Sequence, residues 1–142
     1  MANYPLVIES PSVCSDGTFA YAAGGRDAAT FQSTDAFNRY DPLLDTWTPL
    51  ANLPNAVGDA RSVYAANTNS IYVFGGITDF DVGTVTNLVQ IYDVAADTWT
   101  TGTPDARRAV FPRHCLLRSQ RENLRRWRNR RHVLRNQHNL GV

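Results

Sequence analysis

The sequence contains no lysine, and fourteen arginines carry its positive charge. No histidine precedes His114, so the first three quarters of the chain cannot host a Ser-His-Asp or Cys-His catalytic arrangement. Only two cysteines, Cys14 and Cys115, occur. They are too few for a disulfide framework, they leave the redox compartment open, and each reads as a free, structurally inert thiol. CxxC, HExxH and phosphate-cradling glycine loops are all missing, which removes the motif-borne zinc, redox and nucleotide chemistries. Asp79-Phe80-Asp81-Val82-Gly83 opens like a calcium loop but lacks the acidic ligands that should follow, so it reads as a solvated loop. No apolar run approaches the ~18 residues of a membrane span. Residues 1–9 lack the basic start and long apolar stretch of a secretory signal. The expectation is a chain with no catalytic residues, no metal, no cofactor and no membrane association, whose compartment the residues do not reveal.

What is there divides sharply by charge. Residues 1–105 hold three arginines against twelve acids, hence −9, whereas residues 106–142 hold eleven arginines against Glu122 alone, hence +10. All three histidines, His114, His132 and His138, also lie in the second part. Such asymmetry suggests a nucleic-acid-binding tail or segments of unlike origin.

The first part repeats itself. Tyr21-Ala22-Ala23-Gly24-Gly25 aligns with Tyr72-Val73-Phe74-Gly75-Gly76 at an offset of 51. Tyr40-Asp41 aligns with Tyr92-Asp93, and Asp45-Thr46-Trp47 with Asp97-Thr98-Trp99, both at an offset of 52. In the second copy, residues 61–66 read as a small apolar strand and 67–69 as a polar turn. Residues 70–74 form a β-branched and aromatic strand ending at the glycine pair, 79–86 a polar loop and 88–92 an alternating strand. Residues 93–97 turn the chain into a fourth strand around Trp99. Four strands joined by turns make one antiparallel sheet per copy. In the first copy Pro11 stands for Arg61 and Ala20 for Ile71, which predicts an irregular first strand.

A glycine pair after an apolar strand, then Tyr-Asp, then Trp six residues beyond that Asp resembles the Kelch repeat family over about residues 6–110. The resemblance implies an all-β fold, a partial β-propeller of two four-stranded antiparallel blades. Blade one falls in residues 1–53 and blade two, with the lead-in to a third, in 54–111. Longer relatives in that family include the propeller of galactose oxidase and bacterial sugar-acid epimerases. Glycine suits the crowded strands near a propeller axis, and Tyr and Trp supply buried area with a polar tip. Gly24, Gly25, Tyr40, Trp47, Gly75, Gly76, Tyr92 and Trp99 are therefore expected to be structural. Loops between strands build recognition faces in such propellers, which points to Arg26, Asp27, Asp79, Phe80 and Asp81 as contact residues. Because two blades leave two open faces, the expected partners are another protein or further propeller blades.

Residues 112–142 break the pattern, and three readings stand. An arginine-rich segment with Trp127 among Arg125, Arg126, Arg128, Arg130 and Arg131 is suited to neutralising phosphates and stacking on an RNA base. The same residues also suit a non-native tail, disordered or marginally helical, with Leu117, Leu124, Trp127 and Leu134 on one face. In the third reading the tail is an out-of-frame translation of a third blade. A one-base shift turns CGN arginine codons into GNN codons, and the TGG codon of Trp127 forces glycine, 52 positions after Gly75. Around that slot the shifted frame permits Gly-Lys-Ile-Tyr-Val-x-Gly-Gly, like residues 69–76. A tail of this origin attracts nucleic acid only non-specifically. The leading functional reading is a truncated propeller acting as a protein-binding scaffold without catalysis. The alternatives are a fragment of a carbohydrate-active Kelch enzyme and RNA binding through the tail.

Overall fold

The computed structural model describes residues 2–103, and among them every regular element is a strand. In chain order these are β1 (Ile8–Glu9), β2 (Ser12–Ser15), β3 (Ala20–Ala23), β4 (Arg26–Asp27), β5 (Phe37–Asp41) and β6 (Thr46–Pro49). They are followed by β7 (Arg61–Ala65), β8 (Ser70–Phe74), β9 (Ile77–Asp79), β10 (Thr84–Val85), β11 (Val89–Asp93) and β12 (Thr98–Gly102). Two four-stranded antiparallel meanders result, β2-β3-β5-β6 and β7-β8-β11-β12, called blade one and blade two below. The basic tail, with the nucleic-acid and out-of-frame readings placed on it, lies outside the described residues.

The strands follow side-chain alternation. In β8, Ile71 and Val73 are buried while Phe74 is exposed, and in β11, Gln90 and Tyr92 are buried while Val89 and Ile91 are half-covered. Registers then set whole faces. Tyr92 lies opposite Trp99 and Ile71, and Ile71 opposite Tyr64, so these four share one side of blade two.

The turns are closed by short acidic side chains. Asp41 accepts the N–H groups of Leu43 and Leu44 at 2.8 and 3.1 Å, and Asp93 accepts those of Ala95 and Ala96 at 2.9 and 3.1 Å. Asp45 and Asp97 end these turns at φ 54° and 52°. Asp tolerates that left-handed conformation better than most residues.

The core lies between the blades. The Phe37 ring stacks on Tyr21 at 5.9 Å and meets the edges of Tyr92 at 4.7 Å and Trp99 at 5.0 Å. Full burial of such a ring stabilises by about 2 kcal/mol, and each ring pair adds about 1 kcal/mol. Leu53, Val57 and Ala60, from the segment joining the blades, fill the same core. That segment is tied to both sides: Gly25 N–H donates to Val57 O at 2.8 Å, and Gly58 exchanges two backbone bonds with Ile77 at 2.9 and 2.8 Å. The first strands of the blades, β2 and β7, lie against each other, as strands nearest a propeller axis should.

Two local expectations change. Residues 79–86 are not simply a loop, because β9 and β10 form a small hairpin there, with Thr84 opposite Asp79. The first strand of blade one is also regular: Ser12 to Ser15 pair with Ala23 to Ala20 without a shift, because Pro11 falls just before the strand, where a missing N–H costs no ladder bond.

Candidate binding face

The glycine pairs release the two long loops at the same end of the sheets. Gly24 and Gly75 have φ 63° and 59°, a conformation glycine adopts without penalty. Their N–H groups donate to Ala36 O at 2.8 Å and Leu88 O at 2.9 Å, the same bond in each blade. A Cβ on Gly24 would stand 2.0 Å from Val57 O, and one on Gly76 would stand 2.6 Å from Gly58 O. Glycine is therefore required where the backbone of the joining segment passes.

Beyond the glycines the loops meet. Gln32 Nε2 donates to Asp81 Oδ2 at 2.9 Å, and Ser33 Oγ donates to Ile77 O at 2.8 Å. The Arg26 guanidinium lies 5.2 Å from the centre of the Phe31 ring and 5.4 Å from that of Phe80, within cation–π range. It also donates to Glu9 Oε2 through Nε at 3.1 Å and through a terminal nitrogen. Arg26, Phe80 and Asp81 thus form one cluster, joined by Glu9, Phe31 and Gln32, which sequence reasoning missed.

Asp27 and Asp79 are placed differently. Asp27 Oδ1 accepts from Thr30 N at 2.7 Å, Ala29 N at 2.9 Å and Thr30 Oγ1 at 3.0 Å, which holds its carboxyl below the usual range. Asp79 Oδ1 accepts from Asp81 N at 2.9 Å and Val82 N at 3.3 Å. Each shapes its own loop through an Asx turn. Between them Phe31 stands out, since this bulky residue holds φ 60° and is 52% exposed. Such a conformation costs about 1–3 kcal/mol and persists only where the surrounding structure offsets that cost. Here Phe31 N–H donates to Asp27 O at 2.8 Å.

At the opposite end, the tyrosines and tryptophans of the repeat build a latch. Tyr40 and Tyr92 each donate to an aspartate five residues on, Asp45 at 2.6 Å and Asp97 at 2.7 Å. Asp97 also accepts Ala51 N–H at 2.9 Å, and Trp99 Nε1 donates to Ala51 O at 2.7 Å. In blade one Asp45 accepts Ala2 N–H at 2.6 Å, and Trp47 Nε1 donates to Ala2 O at 3.4 Å. The Ala51 N–H, followed by the Tyr92 hydroxyl, holds the Asp97 carboxyl below the usual range. Burial, then the bond to Asp97, pushes the Tyr92 phenol up. A sequence signal for these partners existed: Ala2-Asn3-Tyr4-Pro5 parallels Ala51-Asn52-Leu53-Pro54 at an offset of 49.

Among the described residues no helix is long and apolar enough to cross a membrane. Comparison with known proteins agrees with the geometry. A family model described as the Kelch motif matches residues 61–105. Kelch-like protein 35 of Mus musculus is 34% identical over 96 residues, 68% of this chain and 15% of that protein. Kelch-like protein 36 of Bos taurus is 31% identical over 119 residues, 79% of this chain and 19% of that protein. The solved structure titled "Structure of YjhT" superposes with a TM-score of 0.61 at 25% identity, covering 72% of this chain and 29% of that one. The chain therefore spans less than a fifth of the length of these curated relatives. Two sheets of four antiparallel strands, the doubled Gly-Gly, Tyr-Asp and Trp marks and these matches together place the chain in the Kelch-repeat family.

Proposed function

We propose that this chain is a two-blade piece of a Kelch propeller, blade one in residues 1–53 and blade two in 54–111, that serves as a protein-binding scaffold without catalysis of its own. The partner is met by the loop face around Arg26, Phe31, Phe80 and Asp81. One observation carries the choice of face. Phe31 is kept half-exposed in a left-handed conformation that a bulky residue avoids, and such backbone strain gathers at binding sites. An exposed aromatic beside an arginine is also the composition of an interface anchor. The names of the Kelch-like relatives accord with a repeat scaffold.

Affinity capture with the full chain tests this. A partner held by the native chain is expected to be lost from the Arg26→Glu/Phe31→Ser double variant. It should be retained by Leu43→Ser/Leu44→Ser, which alters the exposed β5–β6 turn at the other end of blade one. Capture that depends on Leu43 and Leu44 instead would overturn the assignment of the face.

A further inference from the structure

We propose that the partner meeting the loop face presents a basic segment, arginine or lysine alternating with apolar side chains. The inference rests on the reading of that face given above and adds the chemistry of what it receives.

The face is an exposed apolar patch. Phe31 is 52%, Val82 76% and Val85 62% exposed. The bond from Gln32 to Asp81 draws the two excursions together, and Phe31 and Val82 are the chain neighbours of that pair. The patch is held in place from below: the Phe80 ring lies so close over Gly58 that a Cβ there would stand 2.6 Å from it. Phe31 borders the junction between the two described blades, through Arg26 and Phe80, so its exposure does not come from an end of the chain.

The charges around the patch choose its occupant. Glu9, Asp27, Asp35, Asp59, Asp79 and Asp81 stand at this end of the sheets against Arg26 and Arg61, a net charge of −4. Arg26 is already paired with Glu9. Asp27 and Asp79 accept loop N–H groups through Oδ1, and Asp81 accepts from Gln32. Those donors are neutral, so the carboxylates keep their charge. Asp35 and Asp59 are exposed, and among the described residues no cation meets either one. A partner that closes over the patch strips water from these carboxylates, which is costly unless cations replace it. An acidic peptide or a phosphate backbone would add like charge instead. A guanidinium suits the face best, because it pairs with carboxylates and stacks on aromatic rings. Arg26 already makes both contacts here, with Glu9 and with Phe31 and Phe80.

Amide chemical shifts of the isotope-labelled full chain, titrated with synthetic peptides, test this. The probes are Arg-Leu-Arg-Leu-Arg-Leu, Arg-Ser-Arg-Ser-Arg-Ser and Glu-Leu-Glu-Leu-Glu-Leu, which separate charge from apolar contact. Amides of Phe31, Gln32, Asp81 and Val82 should move with the first, move less with the second and stay still with the third. The shifts should shrink as salt is raised. Reading individual amides keeps the arginines of residues 106–142 out of the comparison. Asp35→Asn/Asp59→Asn/Asp81→Asn should weaken the first peptide about tenfold. Asn tolerates the φ of 52° at position 59, and it leaves Gln32 an oxygen at position 81. Should that variant lose native strand content by circular dichroism, Asp35→Asn/Asp81→Asn gives a smaller loss in the same direction. No shift with the arginine-leucine peptide, or equal shifts with the glutamate peptide, would overturn the proposal. Shifts lost in Phe31→Ser yet unchanged by neutralising the acids would overturn the basic chemistry and leave the loop face standing. Shifts confined to the amides of Leu43 and Leu44 would overturn the loop face itself.

Discussion

Trp99 Nε1 reaches across the repeat boundary to the carbonyl of Ala51, 2.7 Å away and 48 residues earlier. With Asp97 taking the N–H of the same alanine, one hairpin holds both polar groups of a single residue in the joining segment. The bonds satisfy a backbone that leaves one sheet before it enters the next, and they fix where blade two sits on blade one.

Removing the indole separates its two contributions. Trp99→Phe should lower stability by about 1 kcal/mol, the net worth of a hydrogen bond. Trp99→Ala should cost about 3 kcal/mol, because the ring contact with Phe37 goes as well. Midpoints of urea unfolding measure both, and a Trp99→Phe midpoint equal to that of the native chain would show that the bond to Ala51 contributes nothing.

Acid and alkali should act on the same latch from opposite sides. Asp97 has a depressed folded pKa, so its contribution is present above the ordinary carboxylate value of about 4 and is lost as pH falls through the folded one. Asp97→Asn should be less stable at neutral pH, with its stability curve converging on that of the native chain in acid. Tyr92 has a raised pKa, so its contribution is present below about pH 10 and fades as pH climbs beyond. The deficit of Tyr92→Phe should therefore shrink above pH 10. Denaturant melts across pH test both, and parallel curves would refute the assignment.

The glycines should divide by what surrounds them. Gly24→Ala places a methyl group on Val57 O and should cost more than about 3 kcal/mol, in the range of severe core damage. Gly83→Ala, at φ 71° with open space around it, should cost about 1 kcal/mol of backbone strain alone. Soluble yield and thermal melts of the two variants give the comparison.

The coding DNA for residues 105–142 and beyond tests the third-blade origin of the tail. A one-base shift near Pro112 should yield Tyr-Asp followed by Trp six residues after the Asp. These marks are informative because the codons do not force them, whereas the glycine at the Trp127 slot is forced. A shifted frame without them would rule the idea out. With the frame restored, the product should gain strand content by circular dichroism.

Most of the sheet architecture was legible because alternation and repetition report on it directly. Ser70–Phe74 is a strand at the expected bounds, and the glycine pair ends it where anticipated. The candidate face was only partly legible. Arg26 lies on β4 and Phe80 in the β9–β10 turn, in excursions from different blades, and only folding brings them over one another. Asp27 and Asp79 carry the composition of contact residues, yet their oxygens turn back on their own loops, which charge alone does not disclose. The β9–β10 hairpin escaped notice because its second strand is two residues long, too short for any alternation to register.

In blade one the latch grips Ala2, and in blade two it grips Ala51. The unit that repeats therefore begins with its linker and ends with its fourth strand, rather than running from first strand to last. Every module carries the lock, and the chain just before its sheet supplies the key. A module grafted at the joint after Pro49 would bring its own linker and leave every latch occupied, whereas one grafted at the first strand, after the linker, would separate key from lock.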